Sequence, residues 1–208
     1  SSMGRLAPST TTESTPAAFT VTGYSGNPSC TATETVPTGY DSTGTCSAPL
    51  LSGGCTIVNV LRTATVNVNK DFSDNNPADV LVTLGCTSGT VTAVDVTASE
   101  ADSAEFTVTG FNLGTTCTAN ESVPPGYTGN ISGCATINIA PNITVGCTIT
   151  NTLNSATLTV YKDFTPDDFV TLVTVNVTCT SGTVVPVSQS AGEGAPAVFT
   201  ITGFIPPS

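Results

Sequence analysis

Lys70 and Lys162 are the only lysines of this 208-residue chain, and they stand in the same local sequence. Ala64-Thr-Val-Asn-Val-Asn-Lys-Asp-Phe72 recurs as Ala156-Thr-Leu-Thr-Val-Tyr-Lys-Asp-Phe164. Alternating apolar and polar residues mark both stretches as strands, in which successive side chains face opposite sides. Lys70 therefore shares a face with Ala64, Val66, Val68 and Phe72, and Lys162 with Ala156, Leu158, Val160 and Phe164. The same parity groups Glu121 with Cys117, Ala119 and Val123, and Glu34 with Cys30, Ala32 and Val36. It groups Asn151 with Cys147, Ile149 and Leu153, and Asn59 with Cys55, Ile57 and Leu61. A lone charge or amide in a core is costly unless it is paired or neutralised.

One chemistry removes that cost. Burial favours the neutral forms of Lys and Glu. A neutral amine can attack the carboxamide carbon of Asn while a protonated Glu polarises the carbonyl and relays a proton. Ammonia leaves, and an uncharged isopeptide amide stays in the core. The candidate set is Lys70, Glu121 and Asn151, repeated as Lys162, Glu34 and Asn59. The alternatives are a buried Lys–Glu ion pair with Asn as hydrogen-bond partner, or exposed side chains. Such a bond would be single-turnover self-modification, not enzyme catalysis. With no His, a Ser-His-Asp triad is excluded.

The elements that must position these residues come from an internal repeat of roughly 90 residues. Phe19-Thr-Val-Thr-Gly23 returns as Phe106–Gly110 and as Phe199-Thr-Ile-Thr-Gly203. Cys86-Thr-Ser-Gly-Thr-Val91 returns as Cys179–Val184, and Cys30-Thr-Ala-Thr-Glu34 as Cys117-Thr-Ala-Asn-Glu121. Cys55-Thr-Ile-Val-Asn59 returns as Cys147-Thr-Ile-Thr-Asn151. In this frame residues 63–154 make one complete unit. Residues 1–62 correspond to the C-terminal part of a unit and 155–208 to the N-terminal part of another. The expectation is two partial β domains, each completed by something else: a neighbouring copy in a head-to-tail fibre, or further repeats of a long surface stalk. The Phe-Thr-Val-Thr-Gly segment is then surplus at one end, either displaced or added as an edge strand.

Within the complete unit the pattern predicts strands at 64–70, 80–86, 91–96, 105–109, 116–122, 135–139 and 147–152. Thr and Val, both β-branched, dominate, and Gly, Pro, Asn and Asp clusters separate the runs. The fold class is all-β: tandem immunoglobulin-like or prealbumin-like sandwiches.

Eight cysteines without a CxxC pair, in a chain without His, argue against zinc and for disulfides in an oxidising compartment. Cys86 and Cys117 fall on inward faces, and Cys134 and Cys147 are close in sequence, so these two pairs are expected. Their repeats are Cys46–Cys55 and, between adjoining copies, Cys179–Cys30.

The net charge is −11 with four basic residues, Arg5, Arg62, Lys70 and Lys162. No basic patch for nucleic acid or anionic lipid can be built from these. No apolar run is long enough for a membrane helix. Asn120, Asn130, Asn142 and Asn176 lie in N-x-S/T sequons, and Thr and Ser offer O-linked sites, so attached glycans are a candidate modification. Turns with Asp71, Asp74 and Asp79, and with Asp163, Asp167 and Asp168, lack calcium-loop spacing and read as solvated. No cofactor is expected.

Glu34-Thr-Val-Pro-Thr-Gly-Tyr40 and Glu121-Ser-Val-Pro-Pro-Gly-Tyr127 resemble the E-box of Gram-positive pilin and surface-stalk domains of the CnaB or SpaA type. In that family a first-strand Lys joins a last-strand Asn with help from the E-box Glu. The resemblance implies a prealbumin-like fold and a role in pili or surface stalks. It places Lys70, Glu121 and Asn151 in those roles. A cysteine precedes each E-box where the family usually has an aromatic, and no sortase signal is visible. The functional expectation is a non-enzymatic subunit of an extracellular fibre at the cell surface, its main partner being copies of itself in a helical or linear array. An adhesive role on a stalk is the alternative, although the chain has no Trp to build a sugar-binding platform.

Overall fold

The computed structural model describes residues 10, 12–42 and 46–207. Arg5 lies outside the described residues. Two compact units are present. One holds residues up to Val36 together with Ser42–Val60, and the other holds Pro37–Asp41 and the chain from Leu61 onward.

In chain order the first strands are β1 (Ser29–Ala32), β2 (Tyr40–Ser42), β3 (Cys46–Pro49) and β4 (Asn59–Leu61). Next come β5 (Thr63–Phe72), β6 (Val80–Cys86), β7 (Thr90–Asp95), β8 (Thr97–Ala98) and β9 (Ala104–Thr109). They are followed by β10 (Thr116–Glu121), β11 (Tyr127–Asn130), β12 (Ile137–Asn138) and β13 (Thr144–Leu153). The last are β14 (Ser155–Val160), β15 (Val173–Asn176), β16 (Thr183–Val185), β17 (Ser188–Ala191) and β18 (Ala197–Thr202). Two 3-10 turns, Leu50–Ser52 and Ser132–Cys134, are the only helical pieces among the described residues.

In the first unit β1 pairs antiparallel with β3, with Cys30 opposite Ala48. A disulfide joins Cys46 to Cys55. The Leu50 amide closes this small ladder by donating to the Pro28 carbonyl at 2.8 Å.

The second unit contains a two-sheet β-sandwich. One sheet has the order β11-β13-β5-β9-β7, the other β12-β10-β6-β8. The protein is all-β, as the alternation of its sequence requires. Val66, Val68, Phe106, Val108 and Ile149 from the first sheet meet Val82, Ala98, Cys117, Ala119 and Ile137 from the second in one buried cluster. The disulfides Cys86–Cys117 and Cys134–Cys147 close this core. Cys86 faces Cys117 directly across the β6–β10 ladder, with Cα atoms 4.0 Å apart.

The same unit continues into a smaller assembly: β14-β18-β16 in one sheet and β15-β17 in another. Ala191, Ala197, Phe199 and Ile201 form its core. By the repeat, β14, β18 and β16 correspond to β5, β9 and β7, and β15 and β17 to β6 and β8.

Several strand limits differ from the expectation. β11 forms over Tyr127–Asn130, where Gly and Asn read as a turn, because β13 supplies an antiparallel partner from Thr150 to Leu153. The expected strand over 135–139 shrinks to Ile137–Asn138, because the chain first turns through Ser132–Cys134 and Ala135 keeps a helical conformation. The run expected at 91–96 forms β7, with a register shift between Ala93 and Asp95, and the short β8 follows it. β13 starts early, at Thr144, because it lies parallel to β5 and pairs with it from Thr65. Phe19–Gly23 is not a strand, and Phe19 is exposed.

Candidate functional site

β5 carries Lys70 near its C-terminal end, and β13 brings Ile149 opposite Lys70 and Asn151 opposite Phe72. β10, from the other sheet, ends on Glu121. The three side chains converge in the sandwich core. Lys70 Nζ lies 3.4 Å from Glu121 Oε2, with both side chains at 0% exposure. Asn151 Nδ2 donates to the same oxygen at 3.4 Å. Lys70 Nζ also donates to the Ile149 carbonyl at 3.3 Å and sits 4.5 Å from the centre of the Phe72 ring. Burial lowers the Lys70 pKa below its ordinary 10.5, against the opposing pull of Glu121, Asp71 and Glu100. Burial thus moves Lys70 toward the neutral, nucleophilic amine relative to an exposed lysine.

Two buried acceptors at this site have no hydrogen-bond partner: Glu121 Oε1 and Asn151 Oδ1. Both flank Gly129 of β11. A Cβ there would lie 2.9 Å from Glu121 Oε1, 3.2 Å from Asn151 Oδ1 and 2.6 Å from Val123 Cγ2. Only glycine leaves the two oxygens their space. Unsatisfied buried acceptors are costly, and they are rare in native cores.

The repeated residues are distributed differently. In the first unit Asn59 Nδ2 donates to Glu34 Oε2 at 3.1 Å, the contact that Asn151 makes with Glu121. Asn59 Oδ1 is likewise buried without a partner. Lys162, in the second unit, donates to the Asp163 carbonyl and stacks on Phe164, 3.8 Å from the ring centre. Among the described residues Lys162 makes no ion pair. Cys30 and Cys179 are exposed free thiols, whereas their counterparts Cys117 and Cys86 are bonded.

Two functional features were missed from the sequence. The first is a carboxylate clamp on the residue two beyond each lysine. Glu100 accepts from the Phe72 amide, and Glu193 accepts from the Phe164 amide at 2.9 Å. The second is a joint between successive repeats. The Arg62 amide donates to the Gly39 carbonyl at 2.9 Å, and the Gly110 amide donates to the Arg62 carbonyl at 2.9 Å. The Asn154 amide donates to the Gly126 carbonyl at 2.9 Å, and the Gly203 amide donates to the Asn154 carbonyl at 2.7 Å. Gly39 and Gly126 have positive φ, and a Cβ on either would strike the facing glycine's carbonyl oxygen, at 2.5 and 2.7 Å. The recurrence of glycine at these four places was the available signal.

Asn120, Asn130, Asn142 and Asn176 are exposed, open to modifying enzymes. The acidic turns are used internally. Asp74 accepts from the Tyr127 hydroxyl at 2.8 Å. Asp168 accepts from the Val170 and Thr171 amides, and hydrogen bonding to Thr171 holds its pKa low. No cluster of three or more His, Cys, Asp or Glu that could hold a metal gathers among the described residues. No helix among them is long and apolar enough to cross a membrane.

These features define a protein of β-sandwich repeats with a buried Lys–Glu–Asn cluster. No family model and no curated protein matches the chain. Among solved structures it is similar to the major pilin protein T-13 of Streptococcus pyogenes serotype GAS131465, at 14% identity and a TM-score of 0.28. The match covers 52% of this chain and 52% of that one, so it spans about half the pilin's length.

Proposed function

We propose that the chain is a structural, non-enzymatic subunit of an extracellular fibre or pilus, polymerised head-to-tail by strand complementation and stapled by disulfides and Lys–Asn isopeptide bonds. One observation carries this reading: the strand sets of the two partial regions are complementary. β5 has β13 on one side and β9 on the other, and β6 lies between β10 and β8. Their counterparts β14 and β15 have the β9-like and β8-like neighbours but not the others. The strands wanted there are the kinds that β1, β2, β3 and β4 represent. An unpaired sheet edge recruits a strand from another molecule. A heterologous contact of this type propagates into a fibre. Three disulfides fit an oxidising, extracellular setting at the cell surface.

Within the complete sandwich, Lys70 and Asn151 would be joined with Glu121 as proton relay. Such a bond bridges the first and last strands of the domain, so that pulling force passes through covalent links.

The test is negative-stain imaging of the purified chain at rising concentration, with mass analysis of a digest. Long fibres are expected, with a Lys70–Asn151 peptide pair one ammonia lighter than the separate peptides. In Glu121→Gln that crosslinked pair should be absent. Single particles at every concentration would overturn the fibre reading. Unmodified Lys70 and Asn151 peptides from the wild type would overturn the staple.

A further inference from the structure

The half-sites outside the complete sandwich are matched in chemistry as well as in strands. Lys162 has lost the carboxylate and carboxamide that surround Lys70. Asn59 Nδ2 donates to Glu34 Oε2 as Asn151 Nδ2 does to Glu121 Oε2, but Glu34, expected on an inward face, is exposed in the free chain, where Glu121 is enclosed. Asn59 Oδ1 waits buried and unpaired, like Asn151 Oδ1. Lys162 is also held ready. Glu193 anchors the Phe164 amide as Glu100 anchors that of Phe72, and each lysine packs over the phenylalanine two residues on.

We propose that Lys162 of one copy and Asn59 of the next form an isopeptide bond across the subunit joint, with Glu34 as its proton relay. The inference rests on the strand-complementation reading and adds the chemistry of the joint. When the β4 segment of the incoming copy lies beside β14, in the register of β13 on β5, Asn59 falls opposite Phe164 and next to Lys162. The neutral Lys162 Nζ attacks Asn59 Cγ. Glu34 protonates the carbonyl oxygen, passes the proton lost by Nζ to the leaving nitrogen, and recovers the first proton from the oxygen as the carbonyl reforms. The Cγ–Nδ2 bond breaks, a new Cγ–Nζ amide forms, and one ammonia leaves. No oxidant or cofactor is needed. The partner is therefore a second copy of this chain. Each copy is amine donor at one joint and carboxamide donor at the other.

Two variants of the full chain test this by mixing. Lys162→Arg keeps its positive charge and its Asn59 but has no nucleophile. Asn59→Ala keeps Lys162 but has no acceptor. After boiling in SDS with reductant, wild type should run as a ladder and each variant alone as a monomer. The mixture should give a dimer and nothing longer, because only one joint type is competent. A digest of that dimer should yield the Lys162 and Asn59 peptides linked and one ammonia light. Native fibres that fall to monomers in SDS for wild type and mixture alike would overturn the bond but leave strand complementation standing. Absence of native assemblies for wild type would overturn both.

Discussion

Lys70 and Lys162 occupy the same place in the same strand sequence, yet one is fully enclosed and the other is not. The difference lies in their neighbours. β5 pairs with β9 only from Thr63 to Val68, and with β13 from Thr65 to Phe72. Asn69–Phe72 are therefore held in the sheet by the parallel partner alone. β14 pairs with β18 from Ser155 to Val160, the counterparts of Thr63 to Val68, and stops there. The alternation continues through Lys162 to Phe164, but the strand does not. Leu158 is 41% exposed where Val66 is 0% exposed. A repeat can thus write an inward lysine into its sequence while the burial depends on which strand pairs beside it.

The largest expected effect separates the two lysines directly. Lys70→Ala empties the buried place beside Glu121, removing an ion-pair partner if Lys70 is a free amine and the crosslinked side chain if it is an amide. Breaking a buried pair on one side destabilises by about 3–5 kcal/mol. Lys162→Ala removes no ion pair and should shift the stability of the isolated chain by less than about 0.5 kcal/mol, as surface changes do. Urea unfolding of dilute, unassembled protein reads both. Equal losses would break the comparison, because Lys162 would then have a partner in the free chain.

The cysteines sharpen the same contrast. Replacing Cys86 and Cys117 together by Ser should cost about 2–4 kcal/mol, the usual worth of a disulfide closing a loop of this kind. Cys179→Ser, at the position equivalent to Cys86, should leave the midpoint of the unassembled chain unchanged. If Cys179→Ser also lowers it, the exposed thiol is pairing in the free protein.

The all-β class and the strand faces were legible because alternation is local: Val66, Val68 and Lys70 declare one face of β5 without reference to anything else. Parity likewise places Glu121 and Asn151 on inward faces, and in the structure they lie against Lys70. What alternation could not carry was the neighbour of each strand. The parallel contact of β5 with β13 joins residues far apart in sequence, and it decides that Lys70 is enclosed while Lys162 is not. Gly129 falls among the Gly, Pro, Asn and Asp residues that separate the predicted strands. Its role is to keep a Cβ away from two carbonyl-type oxygens, which no local pattern reveals. The glycine joint at Gly126 and Gly203 and the Glu100 clamp rest on hydrogen bonds donated by backbone amides, and these leave little mark on an apolar–polar pattern.

The smallest effect is a pH slope that reports the burial of Lys70 itself. It requires a chain in which Lys70 stays an amine, as in Asn151→Ala. Burial lowers the folded-state pKa of Lys70, while the unfolded chain titrates near 10.5. Between those two values the unfolded state binds more protons than the folded state, so stability rises with pH. Below the folded pKa both states are protonated and the cost of the buried charge is fully present. Above 10.5 both are neutral and that cost is gone. Urea midpoints of Asn151→Ala should therefore climb as the pH rises toward 10.5, relative to a Lys70→Met/Asn151→Ala double variant that lacks the titrating group. If Lys70 is consumed in an amide, wild type should follow the double variant. A wild-type curve that climbs with Asn151→Ala would mean that the amine survives in the native protein, and the Lys70–Glu121 contact would then be an ion pair and nothing more.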